Sequence, residues 1–501
     1  MTNREPSESG EVSHYRLHIG GEWREGRRGR RFDSANPYTA RTWATVAQAE
    51  PEDVAAAIAA ARDTFERTWS RTNGYERGRL MLKLADLLHN DAARMGRLES
   101  TDNGKIIRET QTQMVFAARH YRFFAGYADK LWGRQIPLDQ RDTFDYTTRE
   151  PLGAVALITA WNSPMGLLAN KLAPALAAGN CVVIKPSEHA SVTTLEFCKL
   201  LQAAGFPPGV VNVVCGPAEV GRALVDGGVA KVSFTGSSAV GRETAAAAGR
   251  NLIPVTLELG GKSPNIVFAD ANLERAADGV LAGIFGASGQ TCIAGSRLLV
   301  ERSIHDGLVQ TLAARARSVR LGDPLDPATD MGTAANEPHF RRILGFIERA
   351  KTDGARIVTG GGIARGPGLD PGFFIEPTVF ADVRSTMELA QEEVFGPVLA
   401  VIPFDDEDDA LRIANGTRYG LAAGVWTESL PRALRMTRAL QAGQIWVNTY
   451  RALAVQVPFG GFKESGFGRE KGEQALDEFL ASKNVMIDFS SDRRDPFAMR
   501  T

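Results

Sequence analysis

The chain has 501 residues, of which 44% are hydrophobic and 23% charged, a composition typical of a globular protein with two or three domains. Lys and Arg number 58 and Asp and Glu 59, so we expect neither nucleic acid nor an anionic membrane as a partner. The four cysteines show neither paired nor metal-ligand spacing, which indicates a reducing compartment and no metal site. Residues 1–12 contain no apolar segment typical of a secretion signal, so the expected location is the cytoplasm.

The first predicted elements carry no obvious chemistry. Residues 1–14 are polar and are expected to form an unstructured tail. Pro51 opens a predicted helix with apolar residues at helical spacing as far as Phe65, and a second helix follows around residues 80–88. Both helices are interpreted as packing elements.

Two isolated strands are predicted far apart in the chain, at residues 143–148 and 484–489. One interpretation is that they share a small sheet that joins subunits. The other is that they are ordinary edge strands of the main body.

Alternating strands and helices after Pro151 predict a parallel sheet of the nucleotide-binding type. Apolar strands at residues 153–158, 181–184 and 231–234 are each followed by polar residues at the carboxyl end, where functional groups collect. The turn at residues 235–241 opens a helix whose free N–H groups suit a phosphate. Its glycine spacing is not the usual dinucleotide motif, so a plain tight turn remains the alternative.

Two side chains in this sequence indicate nucleophilic and acid–base chemistry. Cys292 lies between small residues and would act as a nucleophile once it is a thiolate, the alternative being a buried structural cysteine. Glu258 lies in an apolar strand, where burial would raise its pKa towards that of a general base. The alternative for Glu258 is a salt bridge to Lys262.

Seven motifs occur in a fixed order and together resemble one enzyme family. They are Trp161-Asn162-x-Pro164, Lys185-Pro-Ser-Glu188, Phe234-Thr-Gly-Ser237, Glu258-Leu-Gly-Gly-Lys262, Gly289-Gln-x-Cys292, Glu393-x-Phe395-Gly-Pro and Pro458-Phe-Gly-Gly-x-Lys463-x-Ser-Gly. Over about residues 19–489 the chain closely resembles the NAD(P)-dependent aldehyde dehydrogenase superfamily.

The resemblance implies an α/β fold with three parts. A Rossmann-type cofactor-binding domain is expected at residues 1–130 and 152–259, and an α/β catalytic domain at residues 260–460. Residues 131–151 and 475–501 are expected to form a small β oligomerisation extension. The implied assembly is a homodimer or homotetramer.

The resemblance also implies a mechanism. Cys292 would attack an aldehyde to form a thiohemiacetal, Asn162 would stabilise the oxyanion, and Glu258 would activate the water that hydrolyses the resulting thioester to a carboxylic acid. The implied cofactor-binding residues are Trp161, Lys185, Glu188, Gly236, Ser237, Gly241, Leu259, Glu393 and Phe395. Because the Glu188 carboxylate would repel a 2′-phosphate, NAD is expected in preference to NADP. The chain departs from the family pattern at His339, where many members carry glutamine.

The substrate pocket and the reaction class leave alternatives open. The expected pocket walls, which include no row of aromatic side chains, are Ser163, Met165, Thr291, Ile293 and residues 450–457. Arg451 either binds the anionic tail of an acid-bearing aldehyde or is a surface residue. Alternatives to the dehydrogenase are a CoA-acylating relative, which would not need Glu258, a non-catalytic NAD-binding relative and a cysteine hydrolase.

Overall fold

The computed structural model describes residues 12–491, 493 and 495–499 of the chain. Residues 1–11 lie outside this part, and with them most of the segment 1–12 from which no secretion signal was expected and most of the expected tail. The expected tail at residues 1–14 is wrong at its end, because Ser13–Tyr15 is a strand that pairs in parallel with the strand Arg41–Ala47.

The strands form an eight-stranded sheet, a seven-stranded sheet and three smaller sheets within the described residues. In chain order the strands are β1 (Ser13–Tyr15), β2 (Leu17–Ile19), β3 (Glu22–Arg24), β4 (Arg31–Asn36), β5 (Arg41–Ala47), β6 (Gln135–Ile136), β7 (Thr143–Pro151), β8 (Ala154–Ile158), β9 (Cys181–Lys185), β10 (Val211–Val213), β11 (Lys231–Thr235), β12 (Val255–Glu258), β13 (Pro264–Val267), β14 (Arg297–Glu301), β15 (Arg356–Thr359), β16 (Thr378–Ala381), β17 (Val398–Phe404), β18 (Tyr419–Gly420), β19 (Ala422–Trp426), β20 (Gln444–Val447), β21 (Phe462–Lys463), β22 (Gly466–Phe467) and β23 (Leu480–Asp488).

Helices connect most of these strands. In chain order they are α1 (Pro51–Arg67), α2 (Gly74–Asn90), α3 (Ala92–Asn103), α4 (Ile107–Ala125), α5 (Pro164–Ala178), α6 (Val192–Ala204), α7 (Ala218–Asp226), α8 (Ser238–Arg250), α9 (Leu273–Phe285), α10 (His305–Arg317), α11 (Glu337–Thr352), α12 (Glu388–Gln391), α13 (Glu407–Asn415), α14 (Leu430–Ala439) and α15 (Gln474–Asp477). As predicted, α1 begins at Pro51 and buries Val54, Ile58 and Ala61 on one face.

The eight-stranded sheet has the strand order β22-β12-β11-β8-β9-β10-β2-β3. Strands β12, β11, β8, β9 and β10 are parallel, and β22, β2 and β3 are antiparallel to their neighbours at the two edges. Every residue of β8 and β9 is buried, which explains their unbroken apolar sequences. This arrangement confirms the predicted nucleotide-binding type of sheet.

The seven-stranded sheet has the order β15-β16-β17-β14-β13-β19-β20 and is parallel except at β15. Two apolar clusters pack on it, one around Phe346 and Phe380 and the other around Ile284 and Leu312. Strand β13 follows β12 directly in sequence, so the chain passes from one large sheet to the other just after Glu258.

The two predicted isolated strands pair with each other. Strand β7 is antiparallel to β23 in register from Thr143↔Asp488 to Pro151↔Leu480, and β6 adds a third strand. Both strands are longer than predicted, because the register continues through residues that lack β-branched or aromatic side chains. Among the described residues, no helix is long and apolar enough to cross a membrane.

Candidate active site

The candidate site lies at the carboxyl edge of the eight-stranded sheet. Strand β8 lies between β9 and β11. The connections that follow these strands therefore leave the sheet in different directions, which opens a crevice at its edge. The pairings Ile158↔Lys185 and Ile158↔Phe234 bring these three strand ends together. Two cavities, of about 600 and 280 Å³, occupy this edge, and both have Trp161 and Ser237 in their walls.

These two cavities contain most of the residues that the resemblance assigns to the cofactor. Of these cofactor-binding residues, the larger cavity is lined by Trp161, Lys185, Glu188, Gly236 and Ser237. The smaller cavity is lined by Trp161, Gly236, Ser237, Leu259, Glu393 and Phe395 of the same set. Asn162 and Cys292 also lie in its wall. Gly241 lies within α8 and lines neither cavity. A Cβ there would lie 2.4 Å from Leu259 Cδ2, so Gly241 allows α8 to pack closely against the sheet end.

The larger cavity suits the adenosine and phosphate groups of a dinucleotide. Lys185 Nζ lies 3.1 Å from Glu188 Oε2. Burial opposes ionisation of Glu188, but the charge of Lys185 and its hydrogen bond hold the pKa of this carboxyl below its usual range. Ser237 caps α8 by accepting a 3.4 Å hydrogen bond from Val240 N. The first N–H groups of α8 therefore lie at the cavity wall, where they favour an anion.

The smaller cavity contains a buried carboxylate at its far wall. Glu393 Oε1 accepts a 2.9 Å hydrogen bond from Gly261 N. Burial raises the pKa of Glu393 to about 7, although this hydrogen bond opposes the shift. A Cβ at Gly260 would lie 2.4 Å from Glu393 Oε2, so only glycine leaves room for the carboxylate here.

Three aromatic rings form one side of the smaller cavity. The ring centroid of Trp161 is 4.9 Å from that of His339 and 5.3 Å from that of Phe395. His339 Nε2 lies 2.7 Å from the carbonyl oxygen of Phe395, a residue with a left-handed φ of 61°. Burial lowers the pKa of His339 to about 4, so the imidazole is neutral and its Nε2–H donates to this carbonyl. His339 therefore belongs to the cavity wall despite its departure from the family pattern.

Cys292 lies in a turn whose shape is fixed by hydrogen bonds. Asn162 Nδ2 donates to the carbonyl oxygen of Gln290 at 3.0 Å. The Gln290 side chain donates to Thr333 O at 3.1 Å and accepts from Ala335 N at 2.8 Å. The side-chain amide of Asn162 therefore lies beside the segment that carries the thiol.

Cys292 is a partly buried residue, whereas the other three cysteines of the chain are buried. Burial raises the pKa of this thiol to about 12, and the carboxylates of Glu393 and Glu258 add to the shift. The thiol must therefore lose its proton before it can attack. Its place in the cavity wall argues against the alternative of a structural cysteine.

Glu258 is 4% exposed and ends β12. Both of its carboxylate oxygens and Lys262 Nζ are buried without a hydrogen-bond partner among the described residues, so the alternative of a Glu258–Lys262 salt bridge is wrong. Burial and then the carboxylate of Glu470 raise the pKa of Glu258 well above its usual range, while Lys171 opposes the shift. A carboxyl group with a raised pKa is suited to general-base catalysis near neutral pH.

Sequence reasoning missed a buried ion pair next to Glu258. Lys171 Nζ contacts Glu470 Oε1 and donates a 3.0 Å hydrogen bond to Ser233 Oγ. Both charged side chains are at least nine-tenths buried. The signal available was the single charged side chain of α5, Lys171, because its partner lies 299 residues away in the sequence.

Arg451 is not a freely exposed surface residue, so that alternative is wrong. Its Nη2 lies 2.6 Å from Glu109 Oε1, and the two side chains are 22% and 17% exposed. A carboxylate partner already compensates the guanidinium charge.

Comparisons with known proteins agree with this geometry. The family model for the Aldehyde dehydrogenase family matches residues 23–485. "Aldehyde dehydrogenase, cytosolic 1" of Mus musculus is 43% identical, over 96% of each chain. A further relative is the "(Z)-2-((N-methylformamido)methylene)-5-hydroxybutyrolactone dehydrogenase" of Acinetobacter baylyi. It is 43% identical over 98% of this chain and 100% of its own length. A crystal structure of betaine aldehyde dehydrogenase from Staphylococcus aureus in complex with NAD+ has a TM-score of 0.95 and 38% identity, over 97% of this chain and 96% of that one.

A dinucleotide-type crevice that ends at a thiol defines an NAD(P)+-dependent oxidoreductase with a catalytic cysteine. The chain belongs to the aldehyde dehydrogenase family. It has that family's fold, and its substrate is an aldehyde.

Proposed function

We propose that Cys292 is the nucleophile in the oxidation of an aldehyde to a carboxylic acid. The observation that carries this proposal is the position of Cys292 in the wall of the smaller cavity, which adjoins the dinucleotide crevice. NAD+, when bound, supplies the hydride acceptor, and the capping of α8 together with Glu188 and Glu393 fits its phosphate and ribose groups.

In this mechanism the Cys292 thiol releases its proton to the solvent, Sγ adds to the carbonyl carbon, and the carbonyl oxygen becomes an oxyanion. The Asn162 amide and the Cys292 N–H donate hydrogen bonds to it. Loss of hydride from the tetrahedral carbon leaves a thioester on Cys292. Glu258 then removes a proton from water, whose attack on the thioester releases the acid and restores the thiol.

The test is NADH formation across short aliphatic, aromatic, amino and acid-bearing aldehydes, with and without CoA. We expect turnover without CoA and none in Cys292→Ala, with Cys181→Ala as the matched control. A Cys292→Ala enzyme that keeps its turnover contradicts the proposal. Dependence on CoA would favour the acylating alternative, and ester cleavage without NAD+ would favour a hydrolase.

We propose that NAD+ is preferred over NADP+. The preference rests on Glu188, whose carboxylate stays ionised beside Lys185 and would repel a 2′-phosphate. In Glu188→Gln, kcat/KM with NADP+ should rise relative to that with NAD+. Equal efficiencies with the two cofactors in the wild-type enzyme would contradict the preference.

For the substrate, we propose aldehydes without a carboxylate or a quaternary ammonium group. Arg451 is paired with Glu109 and is not free to bind an anionic tail. Of the expected wall residues, Met165 and Ile293 are buried and apolar, and neither offers an aromatic face to a cation. A higher kcat/KM for succinic semialdehyde than for butanal, lost selectively in Arg451→Met, would contradict this substrate class.

We propose a homodimer or homotetramer in which residues 131–151 and 475–501 join the subunits, beside a cofactor domain (1–130 and 152–259) and a catalytic domain (260–460). The support is a cross-strand pair, Phe144 and Ile487, which is 44% and 47% exposed on the three-stranded sheet. Light scattering should give a multiple of 54.1 kDa that falls in the double variant Phe144→Lys/Ile487→Lys. An unchanged mass in the variant would contradict the role of this sheet.

We also propose a cytoplasmic location, as the name of the mouse relative suggests.

A further inference from the structure

We propose that Glu109 and Arg451 form a positioning pair that fixes the backbone turn carrying Cys292. This inference rests on the proposed role of Cys292 as the nucleophile. The pair joins α4 to the loop after β20, and neither residue belongs to the cofactor crevice.

The turn before Cys292 has an unfavourable backbone conformation. Ala287 (φ 52°, ψ 28°) and Ser288 (φ 54°, ψ 32°) are both left-handed, and Gly289 follows with φ 70°. Residues with a Cβ rarely adopt this conformation, and two in succession need support from the surrounding structure.

Glu109 and Arg451 supply this support at two points. Glu109 Oε2 accepts a 3.0 Å hydrogen bond from Ala287 N, while its Oε1 pairs with Arg451 Nη2 at 2.6 Å. Arg451 Nη1 donates to Ala282 O, in the last turn of α9, at 3.1 Å. A Cβ at Gly286 would lie 1.6 Å from Arg451 Nη1, so the guanidinium lies directly against the backbone.

The residue before Arg451 holds the other side of the same segment. Tyr450 Oη donates to Ile293 O at 3.0 Å. Two successive residues therefore fix the backbone before and after Cys292. Arg451 is itself left-handed, with φ 58°.

The pair acts through geometry and not through its charge. Its two charges compensate each other, and the ionisable groups with the largest effects on the pKa of Cys292 are Glu393, Glu258, Lys471 and Glu470. Loss of the pair should therefore move the Cys292 Sγ relative to the oxyanion site and the cofactor without changing how readily the thiol ionises.

The experiment compares Glu109→Gln, Arg451→Met and the double variant in steady-state aldehyde oxidation. We expect kcat to fall about 10- to 100-fold, the range for a misplacement of about 1 Å, with the KM for NAD+ unchanged. Because the two residues act as one unit, the double variant should lose little more than either single variant.

The matched control is Arg432→Met. Arg432 is 28% exposed and pairs with Asp270 at 2.8 Å in the same half of the chain, away from the turn. The variant Arg432→Met loses a comparable ion pair and should keep the kcat of the wild-type enzyme. A kcat unchanged in Arg451→Met, or effects that multiply in the double variant, would overturn the proposal. If Arg451→Met does not fold, Arg451→Lys, which keeps the charge but not both contacts, is judged by the same two criteria.

A second readout is the pH dependence of Cys292 alkylation by iodoacetamide, followed by peptide mass spectrometry. We expect the pH midpoint to be the same in Arg451→Met as in the wild-type enzyme. A shifted midpoint would mean that the pair acts through charge and would overturn the positioning role. Turnover by Cys292→Ala would instead refute the proposed function, so the two failures are distinguishable.

Discussion

Single residues determine where negative charge can develop in this site. The Asn162 side-chain amide is 3.0 Å from the Gln290 carbonyl, so it is already held beside the Cys292 turn by the protein's own backbone. Preorganised donors of this kind stabilise a developing oxyanion without reorganisation during the reaction.

Asn162→Ala tests this role. We expect kcat to fall about 10²- to 10³-fold, as for the loss of one oxyanion donor, while the KM for NAD+ changes little. Asn170→Ala is the control, because both asparagines are 7% exposed and Asn170 lines neither cavity. Equal losses in the two variants would show that packing, and not oxyanion binding, explains the effect.

Most residues of the candidate site could be found from the sequence because each lies in a short motif at the end of a strand. The pairing of strand ends then brings Lys185, Phe234 and Ile158 to one edge of the sheet. Long-range partners could not be found this way. Lys171 and Glu470 are 299 residues apart, and only the fold brings their charges together beside Glu258.

At the scale of elements, connections between strands and helices carry the chemistry. The turn at Gly286–Gly289 between α9 and Cys292 is held by Glu109 and Arg451, which come from two other parts of the chain. The sequence shows small residues on either side of Cys292, but it does not predict the left-handed conformation of this turn, because that conformation depends on distant hydrogen-bond partners.

Gly286→Ala tests the importance of this turn without removing any polar group. The new Cβ would lie 1.6 Å from Arg451 Nη1 and must displace the guanidinium from the backbone. We expect kcat to fall about 10-fold or more, as for a misplaced nucleophile. Gly307→Ala, where a Cβ meets open space, is the control and should retain activity. Normal kcat in Gly286→Ala would show that the turn tolerates the shift.

The β7–β23 sheet illustrates what local patterns can predict about elements. Its two strands are recognisable as β-rich segments, but their mutual register, Thr143↔Asp488, depends on tertiary pairing over 345 residues. The sequence therefore predicted the strands and allowed their pairing, without predicting their lengths.

Buried histidines affect the stability of the whole molecule. Burial lowers the pKa of His18 and His339 to about 4 and that of His120 to about 3. Since an unfolded histidine titrates near 6.5, protonation favours the unfolded chain. The histidine contribution to stability is complete above about pH 6.5 and is lost as the pH falls from there towards 4, whereas the raised pKa values of the buried carboxyls Glu258 and Glu393 act in the opposite direction. At about 1.4 kcal/mol per pKa unit, His18 alone accounts for about 3 kcal/mol.

The histidine contribution can be measured by comparing the urea unfolding of the wild-type enzyme and His120→Gln between pH 7.5 and 4.5. The wild-type enzyme should lose stability relative to His120→Gln below about pH 6.5, because its buried imidazole must be protonated on unfolding. A difference between the two midpoints that does not change with pH would contradict the account.

The measurement that tests the central claim most directly is acid quenching of Glu258→Gln with NAD+ and an aldehyde, followed by peptide mass spectrometry. Without its base, this variant should form about one equivalent of NADH and then accumulate the thioester. The predicted result is an acyl adduct on the peptide that contains Cys292 and on no other cysteine peptide. An adduct on another residue, or continued turnover with no adduct, would contradict the account.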